Sequence, residues 1–323
     1  MDSALRPMST SEVLDRTFFL YRKNFVLFAG IGAVLPALVM VMQLGFAALG
    51  FSTQNPELSK SPEKLLPLMA GYFLCYGIIY VIGNAVATGA TVDAVSRLHL
   101  GYPATMAESY KRVFSRFFTV LGIVVLSYLC ASAAAVAGEV VASVAVIASF
   151  SGIGRAGGSI ALAIIGGILA LLVFVAGCSG GLYLYCRWCL AVPASLVEGS
   201  GVGRSLGRSF SLAQGSVFRL FLIYLLWVAI AIGLSVVFAM PAQLLALVLL
   251  RKHFLLAIAI QQIGAFIAGV LAAPIAPIAV SLVYFDQRVR KEAFDLQLMM
   301  QAVEQAQPQP AASAAPTSTA PIG

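Results

Sequence analysis

The residues in this chain whose types and spacing could do chemistry are few, and the first is a cysteine pair three apart, Cys186-Arg187-Trp188-Cys189. In a soluble α/β setting such a pair brings two thiols together for redox exchange or for a metal. Here no second pair and no nearby histidine complete a ligand set, and Cys178, about two turns upstream, adds only another thiol. Cys75, Cys130, Cys178, Cys186 and Cys189 all lie in apolar stretches, where thiols pack as small hydrophobes. Neither a disulfide framework nor a bound metal is expected. The two histidines, His99 and His253, fall on opposite sides of the membrane in the topology below, and neither has a nucleophile and an acid at triad spacing. Glycines are frequent, but none forms a phosphate-cradling loop. No catalytic, metal or cofactor-binding residue is assigned, so the chain is expected not to be an enzyme.

Two polar residues within apolar sequence remain as candidates, Asn84 and Glu139. A lone Asn at mid-membrane commonly makes an interhelical hydrogen bond. Glu139 falls near the outer end of its run, within reach of Arg155 or His253. Together with Pro274 and Pro277, which should kink the last apolar run, these residues would line the path of a transporter or channel.

The elements that must position these groups follow from composition. Of 323 residues, 60% are hydrophobic and 10% charged, against about 25% charged in an ordinary globular chain. A core of that size cannot be covered by so little polar surface in water, so the chain is expected to lie in a membrane. Six stretches reach the ~20 residues needed to span ~30 Å: 25–50, 68–92, 114–137, 160–186, 218–240 and 254–284. Of the 20 Lys and Arg, 15 fall before the first stretch, between the second and third, between the fourth and fifth, or after the sixth. Lys60, Lys64, Arg155, Arg251 and Lys252 fall on the other side. The bias places both termini in the cytoplasm. The net charge of +7 then points to anionic headgroups at that face and not to nucleic acid. No cleavable signal peptide is expected, because charges crowd the first 24 residues and the following apolar run is too long. The surplus segments 45–51, 241–250 and 254–265 are expected to form short outer helices, with Pro241 breaking the fifth span. Residues 1–305 read as a single integral membrane domain, and 306–323, rich in Pro, Ala, Ser and Thr, as a disordered tail.

A self-comparison adds a period. Leu14-Asp-Arg16-Thr-Phe18 recurs as Tyr110-Lys-Arg112-Val-Phe114 and as Leu206-Gly-Arg208-Ser-Phe210, so the three arginines stand 96 residues apart. Ser9-x-x-Glu12 and Thr105-x-x-Glu108 are capping boxes at the same offset; Gly201 takes that place in the third copy. The chain is thus expected to be three parallel units, about 9–104, 105–200 and 201–296, each one amphipathic helix followed by two transmembrane helices. Leu14, Phe18, Tyr21 and Phe25 form the apolar face of the first such helix, which should lie in the cytoplasmic interface. Arg16, Arg112 and Arg208, with Arg288 and Arg290 after the sixth span, are the candidate headgroup residues. The pairs Asp286–Arg290, Arg288–Glu292 and Lys291–Asp295 step by four on a charged helix that continues the sixth span, and their density points to docking against the amphipathic helices or headgroups.

The opening Arg6-Pro-Met-Ser-Thr-Ser-Glu-Val-Leu-Asp-Arg-Thr-Phe-Phe-Leu-Tyr-Arg-Lys-Asn-Phe25 resembles that of the prokaryotic glycerophosphodiester phosphodiesterase membrane domains. The exit from the last span, Val283-Tyr-Phe-Asp286-Gln-Arg288-Val-Arg290-Lys-Glu292-Ala-Phe-Asp295-Leu296, is similar to that family's closing segment, and Val192-Pro-Ala-Ser-Leu-Val-Glu198 also fits. The likeness spans roughly 6–300. It implies a multi-pass module of a prokaryotic cytoplasmic membrane without the catalytic barrel for which the family is named. The expected function is a non-catalytic one, organising lipids or assisting a membrane protein partner; the alternative is a transporter or channel for a small solute or lipid.

Overall fold

A computed structural model describes residues 8–48, 62–151, 160–250, 253–292 and 299–300, and these are helical apart from short connections. In chain order the helices are α1 (Thr10–Lys23), α2 (Phe25–Gly32), α3 (Val34–Ala48), α4 (Pro62–His99), α5 (Met106–Ser115), α6 (Phe117–Ser151), α7 (Ile160–Trp188), α8 (Ala191–Glu198), α9 (Val202–Ala213), α10 (Val217–Leu234), α11 (Met240–Leu249), α12 (Phe254–Ala272) and α13 (Ile275–Glu292). They build an all-α bundle with six spans long and apolar enough to cross a membrane: Phe25–Ala48, Leu66–His99, Phe117–Ala148, Ile164–Glu198, Val217–Leu249 and Phe254–Glu292. Each span packs on its neighbours in chain order, and the sixth closes back on the first. Arg155, Asp295 and the tail 306–323 lie outside the described residues.

The spans are longer than the sequence reading allowed. Segments 241–250 and 254–265 continue their spans as helix and do not form separate outer elements. Pro241 does not break the fifth span. A π-helical turn, Ser235–Ala239, precedes it, and the wider turn accommodates a ring that cannot donate to the ladder. Gly264 lies against this turn; a Cβ there would stand 2.6 Å from the Phe238 carbonyl oxygen. In the sixth span the helix is interrupted between α12 and α13, at Ala273 and Pro274. The carbonyls before the interruption find side-chain donors: Tyr21 Oη donates to Leu271 O at 3.2 Å and Trp227 Nε1 to Ala272 O at 2.9 Å.

Small residues set the closest approaches. A Cβ on Gly138 would lie 2.7 Å from Gly177 Cα, and one on Gly181 would lie 2.4 Å from Ala131 O, so α6 and α7 pack backbone to backbone. It is Gly177 and Gly181, four apart, that make this contact; Gly180 faces open space. The first and sixth spans interlock reciprocally. Pro274 covers Gly32 and Pro36 covers Gly269.

Three short helices, α1, α5 and α9, precede the first, third and fifth spans. They begin at Thr10, Met106 and Val202, after N-caps Ser9, Thr105 and Gly201. The Ser9 cap closes a reciprocal box with Glu12. The Thr105 cap does not, because the Glu108 carboxylate turns to Arg97. Their fully buried residues fall at matched positions, Val13 and Thr17, Ser109 and Val113, Ser205 and Ser209. Phe18, Phe114 and Phe210 stay 40%, 62% and 43% exposed, on the side expected to meet acyl chains, whereas Leu14 and Tyr21 of the same face as Phe18 pack on the core.

Candidate functional site

All six spans contribute to one internal cavity of about 480 Å³. Its wall is apolar over most of its area, from residues such as Leu35, Ile123, Val192 and Val280. Its polar groups include Asn84 and Thr88 from the second span, Ser127 and Tyr128 from the third, and Cys189 from the fourth. Asn84 Nδ2 donates to Tyr128 Oη at 3.0 Å, so Asn84 makes the interhelical hydrogen bond and also lines the cavity. Ser127 Oγ is buried and has no hydrogen-bond partner. Such a group costs about 1–3 kcal/mol unless something satisfies it.

Aromatic rings hold this wall in place. Tyr128 stacks on Tyr185 with centroids 5.9 Å apart and planes at 5°, and Tyr185 meets Tyr224 edge-on at 5.2 Å. Trp188 and Trp227 complete the lining, and Trp227 is fixed by its bond to the carbonyl freed ahead of Pro274. The kink at Pro274 and Pro277 therefore orients an indole at the cavity and places Pro277 in its wall. Sequence reasoning missed these aromatics. Their signal was position: polar aromatics usually sit at span ends, and these sit inside.

Glu139 is not part of the cavity. It lies exposed on α6, so the structure does not bring it to Asn84. Its suggested partner Arg155 is outside the described residues, and His253 stands exposed ahead of α12. His99 is at the opposite end of the bundle, stacked on Phe285 at 4.6 Å. The cysteines are free thiols. Cys189 Sγ donates to Cys186 O at 3.1 Å, and Cys178 is exposed on α7. Among the described residues no three His, Cys, Asp or Glu side chains group as metal ligands.

The candidate arginines meet at one end of the bundle, four of them paired with carboxylates. Arg112 pairs with buried Asp93 at 3.3 Å. Arg208 bridges Glu198, at 3.1 Å, and Glu292; burial opposes its charge, but the two carboxylates outweigh that and raise its pKa. Glu198 also accepts from Tyr284 Oη at 2.8 Å. Arg288 reaches Glu292 at 3.1 Å. Arg16 is half-buried, which lowers its pKa, and no described carboxylate lies within 4.0 Å of it. The Tyr110 hydroxyl, which donates to Ile31 O at 3.0 Å, is pushed up to about 12 by burial.

The charged end of the sixth span packs on α1, and the Asp286 side chain there is 0% exposed. It accepts from the Met8 amide at 2.6 Å, from Arg219, and from Arg290 at 2.9 Å. Arg219 and Arg290 also donate to Met8 O at 3.1 and 2.6 Å. The start of α1 is thereby clamped between the fifth and sixth spans. Lys291 donates to Ser211 O and Gln214 O at the end of α9. No protein-family model, curated protein or solved structure matches the chain.

Proposed function

We propose that this integral membrane protein is a non-catalytic binding protein whose cavity takes a small amphiphile, an apolar body carrying one hydrogen-bonding group. The cavity itself carries the reading. About 480 Å³ of mostly apolar space, lined by the Asn84 amide, the Tyr128 hydroxyl and the unpartnered Ser127 hydroxyl among its few polar groups, has the composition of a small-molecule site. The reading belongs with the transporter alternative. It is favoured over headgroup organisation by Arg208 and Arg288 because these two are engaged by Glu198 and Glu292. We place both termini on the cytoplasmic side on the charge bias, and attribute α1, α5 and α9 to a triplicated unit. The 96-residue steps in their starts, caps and buried positions support that origin. The resemblance of the end segments to a prokaryotic membrane module is compatible with a cytoplasmic-membrane location.

Both tryptophans of the chain, Trp188 and Trp227, line the cavity, so intrinsic emission reports on it. In lipid nanodiscs, a short brominated single-chain alcohol should quench that emission saturably. Asn84→Leu should weaken the apparent affinity about fivefold, the worth of one hydrogen bond. Quenching that never saturates, or that Asn84→Leu leaves unchanged, overturns the proposal.

A further inference from the structure

We propose that a second pocket, at the arginine-bearing end of the bundle, binds a phosphoryl anion. It holds about 370 Å³ between Ser9 and Thr10 at the start of α1, Gly215 and Ser216 ahead of α10, and the last turns of α13. Two helix N-termini therefore open onto it, from helices of 14 and 18 residues, each with its positive dipole end, the first capped by Ser9 and Glu12. Three cations line the same space, Arg219, Arg290 and Lys291. Two described carboxylates lie nearby: Asp286 has both oxygens engaged by Met8, Arg219 and Arg290, and Glu12 accepts from the Ser9 amide at 2.6 Å.

Gln287 is the independent sign of a ligand. It is 5% exposed and lines the pocket, yet its side-chain amide makes no hydrogen bond with any described residue. An amide without a protein partner takes one from the pocket it lines. Lys291 spends two N–H groups on Ser211 O and Gln214 O and keeps a third. Arg290 uses Nε on Asp286 and Nη2 on Met8 O, which leaves Nη1. Donors from three elements converging on one space suit a multi-oxygen anion better than a single-atom ion. The anion is the phosphate of an anionic lipid headgroup or a free phosphate, and the pocket's chemistry is the same for both.

The test uses the full chain in phosphatidylcholine nanodiscs, titrated calorimetrically with inorganic phosphate and, separately, with short-chain phosphatidic acid. Saturable binding of either is expected, weakened about five- to tenfold by Gln287→Leu and by Lys291→Gln and unchanged by Lys23→Gln. Binding of both in competition assigns the site to the phosphate group alone; binding of the lipid only assigns it to a headgroup. Lys291 is exposed, so Lys291→Gln keeps the test decisive if Gln287→Leu fails to fold. The proposal is overturned if neither probe binds saturably, if both variants bind as wild type does, or if Lys23→Gln weakens binding equally. Amphiphile quenching at Trp188 and Trp227 is a separate readout, so failure here leaves the cavity proposal standing.

Discussion

Asp286→Asn tests how the N-terminal helix is held. The carboxylate is fully buried and takes donors from Met8, Arg219 and Arg290. The substitution preserves shape but removes the charge and turns an amide N–H toward groups that are already donors. Breaking a buried pair by removing one partner costs about 3–5 kcal/mol. Arg290 is 42% exposed and screened by solvent, so its share is small. Arg219, at 13% exposed, keeps a buried Nε without a partner even in the wild type. The low end, about 3 kcal/mol, is therefore expected. Equilibrium unfolding in mixed micelles reads the loss, and hydrogen exchange should show faster opening across 8–23. Arg219→Gln combined with Asp286→Asn should be non-additive by at least about 0.5 kcal/mol. Asp15→Asn, on an exposed position, should stay within about 0.5 kcal/mol of wild type. If Asp286→Asn behaves like Asp15→Asn, or exchange over 8–23 does not change, the clamp does not hold the helix.

Adjacent glycines in α7 should respond in opposite directions. Gly180→Ala meets open space and should gain up to about 1 kcal/mol of helix propensity. Gly181→Ala drives a Cβ onto the Ala131 carbonyl and should lose about 1–3 kcal/mol; unfolding midpoints in micelles compare them. The hydrogen bond from Arg97 holds the Glu108 carboxyl below its ordinary pKa. Its stabilising contribution is therefore complete above about pH 4.3, the unfolded value, and is lost as pH falls through the folded one. A carbon-13 titration of Glu108 should move upward in Arg97→Gln.

The six spans and the short helices ahead of three of them were legible because hydropathy and cap residues are local. The interior was not. The charged end of the sixth span could be read as a docking segment, but not where Asp286 docks, because the Met8 amide it accepts comes from 278 residues away. The apolar face of α1 was legible, but not its division into an outward Phe18 and a packed Leu14 and Tyr21, because in a membrane large apolar side chains serve lipid as readily as protein. Thr17, Ser109 and Ser205 also meet the spans, and small polar residues carry no hydropathy signal. Asn84 stood out in sequence. Tyr128, Tyr185 and Tyr224, which build the wall around it, sit on three different spans and share no spacing.

The reciprocal seating of Pro274 on Gly32 and Pro36 on Gly269 belongs to a longer seam. Met8 with Asp286, Tyr21 with Leu271, and Gln43 with Gln262 lie along the same two segments. During synthesis the first of these segments enters the bilayer long before the second exists. Throughout that interval its glycines and polar side chains have no seat, and only lipid or the insertion machinery can cover them. Assembly therefore finishes at its own beginning. Lesions in the last span should appear first as disorder in the first, and the hazard of misassembly should be greatest while the chain lacks its sixth helix.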